Sequence, residues 1–200
     1  SLWRPWNIDP SWKTQSGQAW FHIDQHPISK PGKQCIQGLI NLLPTSKEIG
    51  GNVVIPKSHN FFKDLPEEYK ERVERLPLDI DHFRFPHDDP KLSSEPAVMA
   101  HMEPGDMLLW DSRTIHCSSS GSSLPEGTND LIRAASLICM MPKKLSSKEI
   151  LDKRIHAAEN LVSTTNWTND FRNADEFPII LEAENRDCLL YTSPSPRDQS

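Results

Sequence analysis

The segment "QCIQGLINLLPTSKEIGGNVVIP" (residues 34–56) carries the fold prediction, because it holds two strands on either side of a turn. In "QCIQGLINLL" (34–43), alternate residues fall on opposite faces with the period of two that is typical of a β-strand. The segment "PTSKEIGG" turns the chain, and "NVVIP" is a short buried strand that ends at Pro56, which cannot donate to a strand ladder. This unit favours a β-rich protein built from short strands.

The rest of the chain repeats this pattern and adds helices at its margins. Two further strands are predicted in "GDMLLW" (105–110) and "RAASLICMM" (133–141). Helices are predicted over residues 61–76 and over 146–162, where Ser146 has the spacing of a capping box. Strands and helices do not alternate, which excludes a parallel α/β sheet. We therefore predict a mainly β fold, a sandwich or jelly roll with added helices on the outside.

Composition limits the classes of function. The chain of 200 residues is long enough for one domain with a sizeable core, and its net charge of −6 argues against a nucleic-acid partner. No run of about 18 apolar residues occurs, so no membrane span is predicted. The cysteines lack C-x-x-C spacing, so neither a thiolate zinc site nor a disulfide framework is expected; they are Cys35, Cys117, Cys139 and Cys188. The cytoplasm or another reducing compartment fits this pattern best.

Both ends of the chain lead to expectations about its boundaries. We expect one jelly-roll domain over residues 1–188, truncated at its N-terminus, and any targeting segment would precede Ser1 and would not be visible. The last segment, "LLYTSPSPRDQS" (189–200), is rich in serine and proline and has no apolar period. We expect it to be a disordered tail that is not native to the protein.

Histidine and aspartate cluster in "WFHIDQHP" (20–27). In an extended strand His22 and Asp24 project from the same face, so together they offer one nitrogen and one carboxylate ligand to a metal. A surface loop in which Asp24 caps a turn is the alternative. A third ligand could come from any of the other histidines, which are His26, His59, His82, His87, His101, His116 and His156. His116 is the strongest candidate, because it would lie at the far end of the strand in "GDMLLWDSRTIH".

Two imidazoles and one carboxylate leave three of six octahedral positions open, as in the facial triad of non-haem Fe(II) oxygenases. A closed structural zinc site would need four protein ligands. Arg133 begins an apolar strand that carries no acid, so we expect it to meet an anion such as a dicarboxylate cosubstrate. Ser118 could add a hydroxyl donor to the same carboxylate. An exposed Arg133 paired with Asp130 is the alternative.

Four pieces of the chain, in order, resemble the phytanoyl-CoA dioxygenase family over roughly residues 18–142. They are "FHID", "IQGLINLLPTSKEIGGNVVIPKSH", "PGDMLLWDSRTIHCSS" and "IRAASLICMMP". The family consists of Fe(II)- and 2-oxoglutarate-dependent oxygenases, so the resemblance implies a mainly β fold with added helices, a double-stranded β-helix (jelly roll, cupin-like). The resemblance implies that iron is bound by His22, Asp24 and His116. It also implies that the far carboxylate of 2-oxoglutarate is bound by Arg133 and Ser118, with Gln37 as a secondary candidate for that pocket.

The resemblance implies a dioxygenase that uses O₂ to hydroxylate a small organic molecule. One alternative is a cupin-like metal-dependent isomerase or hydrolase, which would need no buried cation at Arg133. Another is a jelly roll that binds a ligand without catalysis. The substrate and the oligomeric state do not follow from the sequence.

Overall fold

The computed structural model describes residues 2–10, 20–78, 80–160, 162, 164–165 and 167–171. Over these residues the chain forms nine strands and three α-helices. The strands are β1 (Leu2–Trp3), β2 (His22–Ile23), β3 (Ile36–Asn41), β4 (Gly51–Val54), β5 (Phe83–Arg84), β6 (Val98–Met99), β7 (Met107–Asp111), β8 (His116–Ser119) and β9 (Arg133–Met140). The helices are α1 (Leu65–Glu68), α2 (Lys70–Glu74) and α3 (Lys148–Glu159), with 3₁₀ turns at Ser58–Asp64, Pro90–Ser93 and Lys143–Leu145.

The strands form two antiparallel sheets. The first sheet has the order β1-β9-β3-β7 and the second has the order β5-β2-β8-β4-β6. The chain passes repeatedly from one sheet to the other, since β1, β3, β7 and β9 lie in the first sheet while β2, β4 and β8 lie in the second. This winding is that of a jelly roll, and the predicted fold class is confirmed.

The four predicted strands appear as β3, β4, β7 and β9. The placement of His116 at the end of the 105–110 strand was wrong. Strand β7 ends at Asp111, whose carboxylate accepts the N–H of Arg113 at 3.0 Å and closes a tight turn. The chain therefore leaves the first sheet before it reaches His116, which begins β8 in the second sheet.

The helix predicted over 61–76 is split in two. Helices α1 and α2 are separated at Tyr69, whose backbone (φ −118°, ψ 33°) is not helical. The Tyr69 ring packs edge-on against Phe83 and Phe85, and its hydroxyl donates to Asp89 at 2.5 Å. These tertiary contacts override the local helical pattern.

Helix α3 confirms the helix predicted over 146–162, but its cap lies one residue further on than predicted. The Ser147 hydroxyl accepts the N–H of Ile150 at 3.2 Å, which is the contact of an N-cap. The Ser146 hydroxyl instead donates to the carbonyl of Thr168 at 3.4 Å, because residues after the helix fold back over its first turn.

Buried apolar residues form two clusters, one on the second sheet and one mainly on the first. One packs α1, α2 and the 3₁₀ turn at Ser58–Asp64 against the second sheet, and consists of Ile23, Ile55, Phe62, Leu65, Val73, Phe83, Phe85 and Ile115. The other is formed by Leu39, Met102 and Ala135, with Trp3, Ala100, Leu108 and Trp110 against it. Ile23 neighbours His22 in a strand and so points away from it, which leaves the histidine on the inner side.

Three other observations bear on the sequence predictions. Among the described residues, no helix is both long and apolar enough to cross a membrane. Cys35, Cys117 and Cys139 carry free thiols. Residues 189–200, for which a tail was predicted, lie outside the described residues.

Candidate metal centre

His22 and His116 meet as direct register partners of the antiparallel strands β2 and β8. Residues that are opposite each other in such a pair project from the same face, and the two ring centroids lie 4.4 Å apart. Strand β2 is shorter than predicted and ends at Ile23, so Asp24 follows it in a bend. The Asp24 backbone is fixed there by its N–H, which donates to the Ser112 carbonyl at 3.2 Å.

The position of His116 depends on the "PKSH" segment that follows β4. The buried Ser58 hydroxyl donates to the Ile55 carbonyl at 2.7 Å and accepts the N–H of Ile115 at 2.8 Å. The N–H of Ile55 in turn donates to the Ile115 carbonyl at 2.9 Å. Ser58 therefore connects the turn after β4, by hydrogen bonds, to Ile115, the residue that precedes His116.

The glycine pair in the β3–β4 connection allows a close approach to the end of β8. Gly50 has φ +103°, and a Cβ built on it would lie 2.2 Å from the Ser119 carbonyl oxygen. Any side chain at this position would push the turn away from the strand that carries His116.

The donor atoms of the three predicted ligands converge in a buried site. The Nε2 atom of His22 lies 3.5 Å from Oδ1 of Asp24, and Nε2 of His116 lies 3.4 Å from Oδ2. One ligand atom from each residue lies within 4.8 Å of the others, and all three side chains are buried. Ligands about 2.1 Å from a metal and at right angles to one another would be about 3 Å apart, so the observed separations fit one ion.

The hydrogen bonds of the two imidazoles also fit a cation. Nδ1 of His22 donates to the Trp20 carbonyl at 3.1 Å, and Nδ1 of His116 donates to the Thr114 carbonyl at 2.8 Å. A carbonyl can only accept, so in each neutral ring the proton sits on Nδ1 and Nε2 presents a lone pair. Two lone pairs and a carboxylate facing one another repel unless a positive charge lies between them. This donor set is the one that a divalent transition metal needs.

Of the other candidate ligands, His26 is occupied elsewhere. It is buried, and its Nδ1 accepts the N–H groups of Ile28 and Ser29 at 3.0 and 3.1 Å. His26 therefore shapes the loop after Asp24 and does not face the site.

Gln37 lies in this site and contacts the carboxylate of Asp24. Its Nε2 donates to Oδ2 of Asp24 at 3.0 Å, and its Oε1 accepts the indole N–H of Trp110 at 3.0 Å. The role of Gln37 in binding 2-oxoglutarate stays a prediction.

Arg133 is buried on the inner side of the first sheet, with 3% of its surface exposed. Its Nη1 donates to the Ser118 hydroxyl at 3.0 Å, and its guanidinium lies 4.1 Å from the ring centroid of Trp3. No acid forms an ion pair with it among the described residues, and its buried Nε has no hydrogen-bond acceptor there. Burial lowers the pKa of Arg133 to about 10. The alternative of an exposed Arg133 paired with Asp130 is therefore wrong.

Two residues that line this region were not predicted from the sequence. Asn52 is a register partner of Ser118, so it shares the face of His116, and its buried Oδ1 has no hydrogen-bond partner in the described part of the chain. An asparagine within a short buried strand was the signal that could have found it. Trp110 was assigned to a buried strand, and only its pairing with Gln37 brings its indole N–H to the site.

A jelly roll that brings two histidines and an aspartate together between its sheets belongs to the class of candidate facial-triad metalloproteins. The model of the Phytanoyl-CoA dioxygenase (PhyH) family matches residues 9–124. The chain therefore belongs to the phytanoyl-CoA dioxygenase family, whose members are oxygenases, and the predicted resemblance is confirmed.

Two relatives illustrate the range of similarity. The chain is 30% identical over 164 residues to the Ava biosynthesis cluster protein O of Aspergillus versicolor, an alignment that covers 78% of this chain and 50% of that protein. The chain thus spans about half the length of this curated relative. It is also similar to EctD from S. alaskensis, solved in its apo form, with 14% identity, coverage of 62% of this chain and 39% of that chain, and a TM-score of 0.37.

Proposed function

We propose that the protein is an Fe(II)- and 2-oxoglutarate-dependent dioxygenase that hydroxylates a small organic molecule. The observation that carries this proposal is the pairing of two features inside one jelly roll. The convergent His22, Asp24 and His116 set suits a metal with open positions, and Arg133 is a buried cation without an acidic partner among the described residues.

In this proposal Nε2 of each histidine and the carboxylate of Asp24 hold the metal. Bound Fe(II) would supply O₂ activation, which couples decarboxylation of 2-oxoglutarate to succinate and CO₂ with insertion of one oxygen atom into a C–H bond. The chain contributes orientation, because the Nδ1 hydrogen bonds to Trp20 and Thr114 fix both rings. It also excludes water, since the ligands are buried between the sheets.

Arg133 would bind the far carboxylate of 2-oxoglutarate. Its guanidinium has donors to spare, since Nη1 alone is engaged with Ser118 and Nε has no acceptor in the described residues. A carboxylate would neutralise the buried charge and accept these donors in a fork. The Ser118 hydroxyl and the amide of Asn52 lie next to each other on the facing sheet and would complete the contact.

Each of the two alternatives leaves either Arg133 or the metal donor set unexplained. A metal-dependent isomerase or hydrolase with this ligand set needs no buried cation, so it leaves Arg133 unexplained. A non-catalytic binding protein leaves the metal donor set unexplained. We also propose that the protein works in a reducing compartment, where the thiols of Cys35 and Cys139, 3.0 Å apart, would stay reduced.

The test is an anaerobic titration of the purified protein with Fe(II) and then 2-oxoglutarate, followed by addition of O₂. We expect a metal-to-ligand absorption band that requires both additions, and release of succinate that requires O₂. His116→Ala should abolish both signals, while His87→Ala, at an exposed position, should leave both intact. Absence of the band and of succinate from the wild type would refute the proposal.

A further inference from the structure

Gln37 is hydrogen-bonded at both ends of its side-chain amide, and one end touches a proposed metal ligand. It is a buried residue of β3, 7% exposed, and Trp110 is its register partner on β7. Asp24 follows strand β2 of the second sheet. The hydrogen bond from Gln37 to Asp24 therefore connects the first sheet to the second.

The chemistry of the neighbours fixes which way this amide points. The indole N–H of Trp110 can only donate, so the atom that faces it must be the carbonyl oxygen of Gln37. The NH₂ group then faces Asp24, whose ionised carboxylate can only accept. Both bonds are 3.0 Å long, and reversing the amide would place donor against donor and oxygen against oxygen.

We propose that Gln37 is a positioning residue that holds the Asp24 carboxylate for the metal, and that Trp110 acts through Gln37 by fixing its amide. This inference rests on the proposed function and departs from the sequence prediction, in which Gln37 contacts 2-oxoglutarate. Gln37 touches neither the metal nor the cosubstrate, and its effect passes through Asp24.

The local backbone explains why such a contact is needed. Asp24 lies beyond the end of the two-residue strand β2, and its backbone N–H donates to the Ser112 carbonyl. The terminal torsion of an aspartate is broad, and the carboxylate can rotate unless something binds it. The Gln37 N–H occupies Oδ2 and thereby limits that rotation. Partners of this kind typically change metal affinity about 10- to 100-fold.

The experiment measures binding, not turnover. Metal-free protein is titrated with Co²⁺, whose visible absorption reports the geometry of its ligands, in wild type, Gln37→Met, Trp110→Phe and the double variant. Methionine keeps the volume and removes the amide, whereas phenylalanine keeps an aromatic ring and removes the indole N–H. Gln34→Met is the matched control, because the Gln34 side chain donates to the nearby Pro31 carbonyl at the surface.

We expect Gln37→Met to weaken Co²⁺ binding about 10- to 100-fold and to shift the absorption spectrum. Trp110→Phe should have a smaller effect, and the double variant should be no weaker than Gln37→Met, because Trp110 acts through the amide that is already missing. At saturating Co²⁺, the affinity for 2-oxoglutarate should stay within about threefold of wild type, a limit well below the effect of a lost charged hydrogen bond.

Each other outcome contradicts a defined part of the inference. Unchanged Co²⁺ affinity in Gln37→Met would overturn it, even if Trp110→Phe failed to fold. Weaker 2-oxoglutarate binding with unchanged Co²⁺ affinity would return Gln37 to the cosubstrate pocket. Additive effects in the double variant would remove Trp110 from the arrangement. Failure of the wild type to bind Co²⁺ would overturn the proposed function itself, along with the inference.

Discussion

Replacing Arg133 by methionine should leave the ligand-free protein almost as stable as the wild type but abolish its response to 2-oxoglutarate. The pKa of Arg133 falls from 12.5 to about 10 on burial. At one pKa unit per 1.36 kcal/mol, the buried charge opposes folding by about 3 kcal/mol. Because the folded pKa of this cation is the lower one, the full penalty applies at neutral pH and fades only as the pH rises above about 10.

Methionine removes that penalty together with two favourable contacts. The bond from Nη1 to Ser118 and the stacking on Trp3 are each worth about 1–2 kcal/mol. The opposing effects nearly cancel, so the free energy of unfolding should change by no more than about 1 kcal/mol. For a domain of this size that is a change in Tm of about 2–4 °C in either direction. Breaking a buried salt bridge would instead destabilise the protein by about 3–5 kcal/mol.

The shift in Tm on binding 2-oxoglutarate should differ between wild type and the Arg133 variants much more than the ligand-free Tm does. With redox-inert Co²⁺ bound and 2-oxoglutarate at about 100 times its Kd, the wild type should gain about 2.7 kcal/mol, or about 5–10 °C in Tm. Arg133→Met should show no shift at the same concentration, because both bonds of the fork are missing. Arg133→Lys keeps the charge but loses one bond, worth about 1.5–3 kcal/mol, so its Kd should rise about ten- to a hundredfold.

The assay is differential scanning fluorimetry with a 2-oxoglutarate titration, supported by calorimetric Kd values. Arg75→Met is the control, since this exposed arginine lies at the end of α2 and its side chain is 83% exposed. The reasoning would be refuted if ligand-free Arg133→Met lost several kcal/mol of stability, which would mean that the cation has an acidic partner. It would equally be refuted if the thermal shift with 2-oxoglutarate survived the substitution.

Three further predictions address the other parts of the site and the fold. Asp24→Ala should lose Fe(II) and Co²⁺ binding while its circular dichroism spectrum stays native; full metal content in the variant, measured by elemental analysis, would contradict the ligand assignment. Zn²⁺ and Ni²⁺ should inhibit the wild type, because they bind more tightly than Fe²⁺ in the Irving–Williams order. Asn52→Ala should raise the Kd for 2-oxoglutarate about 5- to 10-fold, because the proposed contact from its amide N–H to the cosubstrate carboxylate is lost. The ligand-free protein should not be destabilised, because the buried Oδ1 of Asn52 has no hydrogen-bond donor in the described residues; a large loss of Tm without ligand would show a structural role instead. Ser147→Ala should reduce stability to urea by about 1 kcal/mol and Ser146→Ala by much less, since Ser147 caps α3; equal effects would contradict the cap.

The sequence predicted most of the fold because its signals are local. The alternation of apolar residues in 34–43 depends only on neighbours, and it appears in the structure as β3. The helix over 61–76 failed where a distant contact decided the backbone, since Tyr69 packs on Phe83 and Phe85 across a long excursion of the chain. A period in the sequence carries no information about that partner.

The candidate site also has parts that the sequence predicts and parts that only the packing of the two sheets determines. The identities of His22, Asp24 and His116 follow from residue chemistry and family order, and the structure brings these three together. The contact between Gln37 and Asp24 could not be predicted, because β3 pairs with β7 and β9 while Asp24 follows a strand of the other sheet. Alternation along β3 shows that Gln37 faces inward, but only the packing of one sheet on the other shows what it touches.

The separation of proposed roles between the two sheets has a mechanical consequence. The proposed metal ligands and Ser118 belong to the side of the second sheet, whereas Gln37 and Arg133 belong to the first. Side-chain hydrogen bonds from Gln37 to Asp24 and from Arg133 to Ser118 cross between these groups at the site. A molecule of 2-oxoglutarate that binds both the metal and Arg133 would span the same gap, so its fit depends on the spacing that these bonds help to maintain. A change at Gln37 therefore alters the Asp24 contact directly and this spacing only indirectly, and the limit of about threefold expected for 2-oxoglutarate affinity allows for the indirect effect.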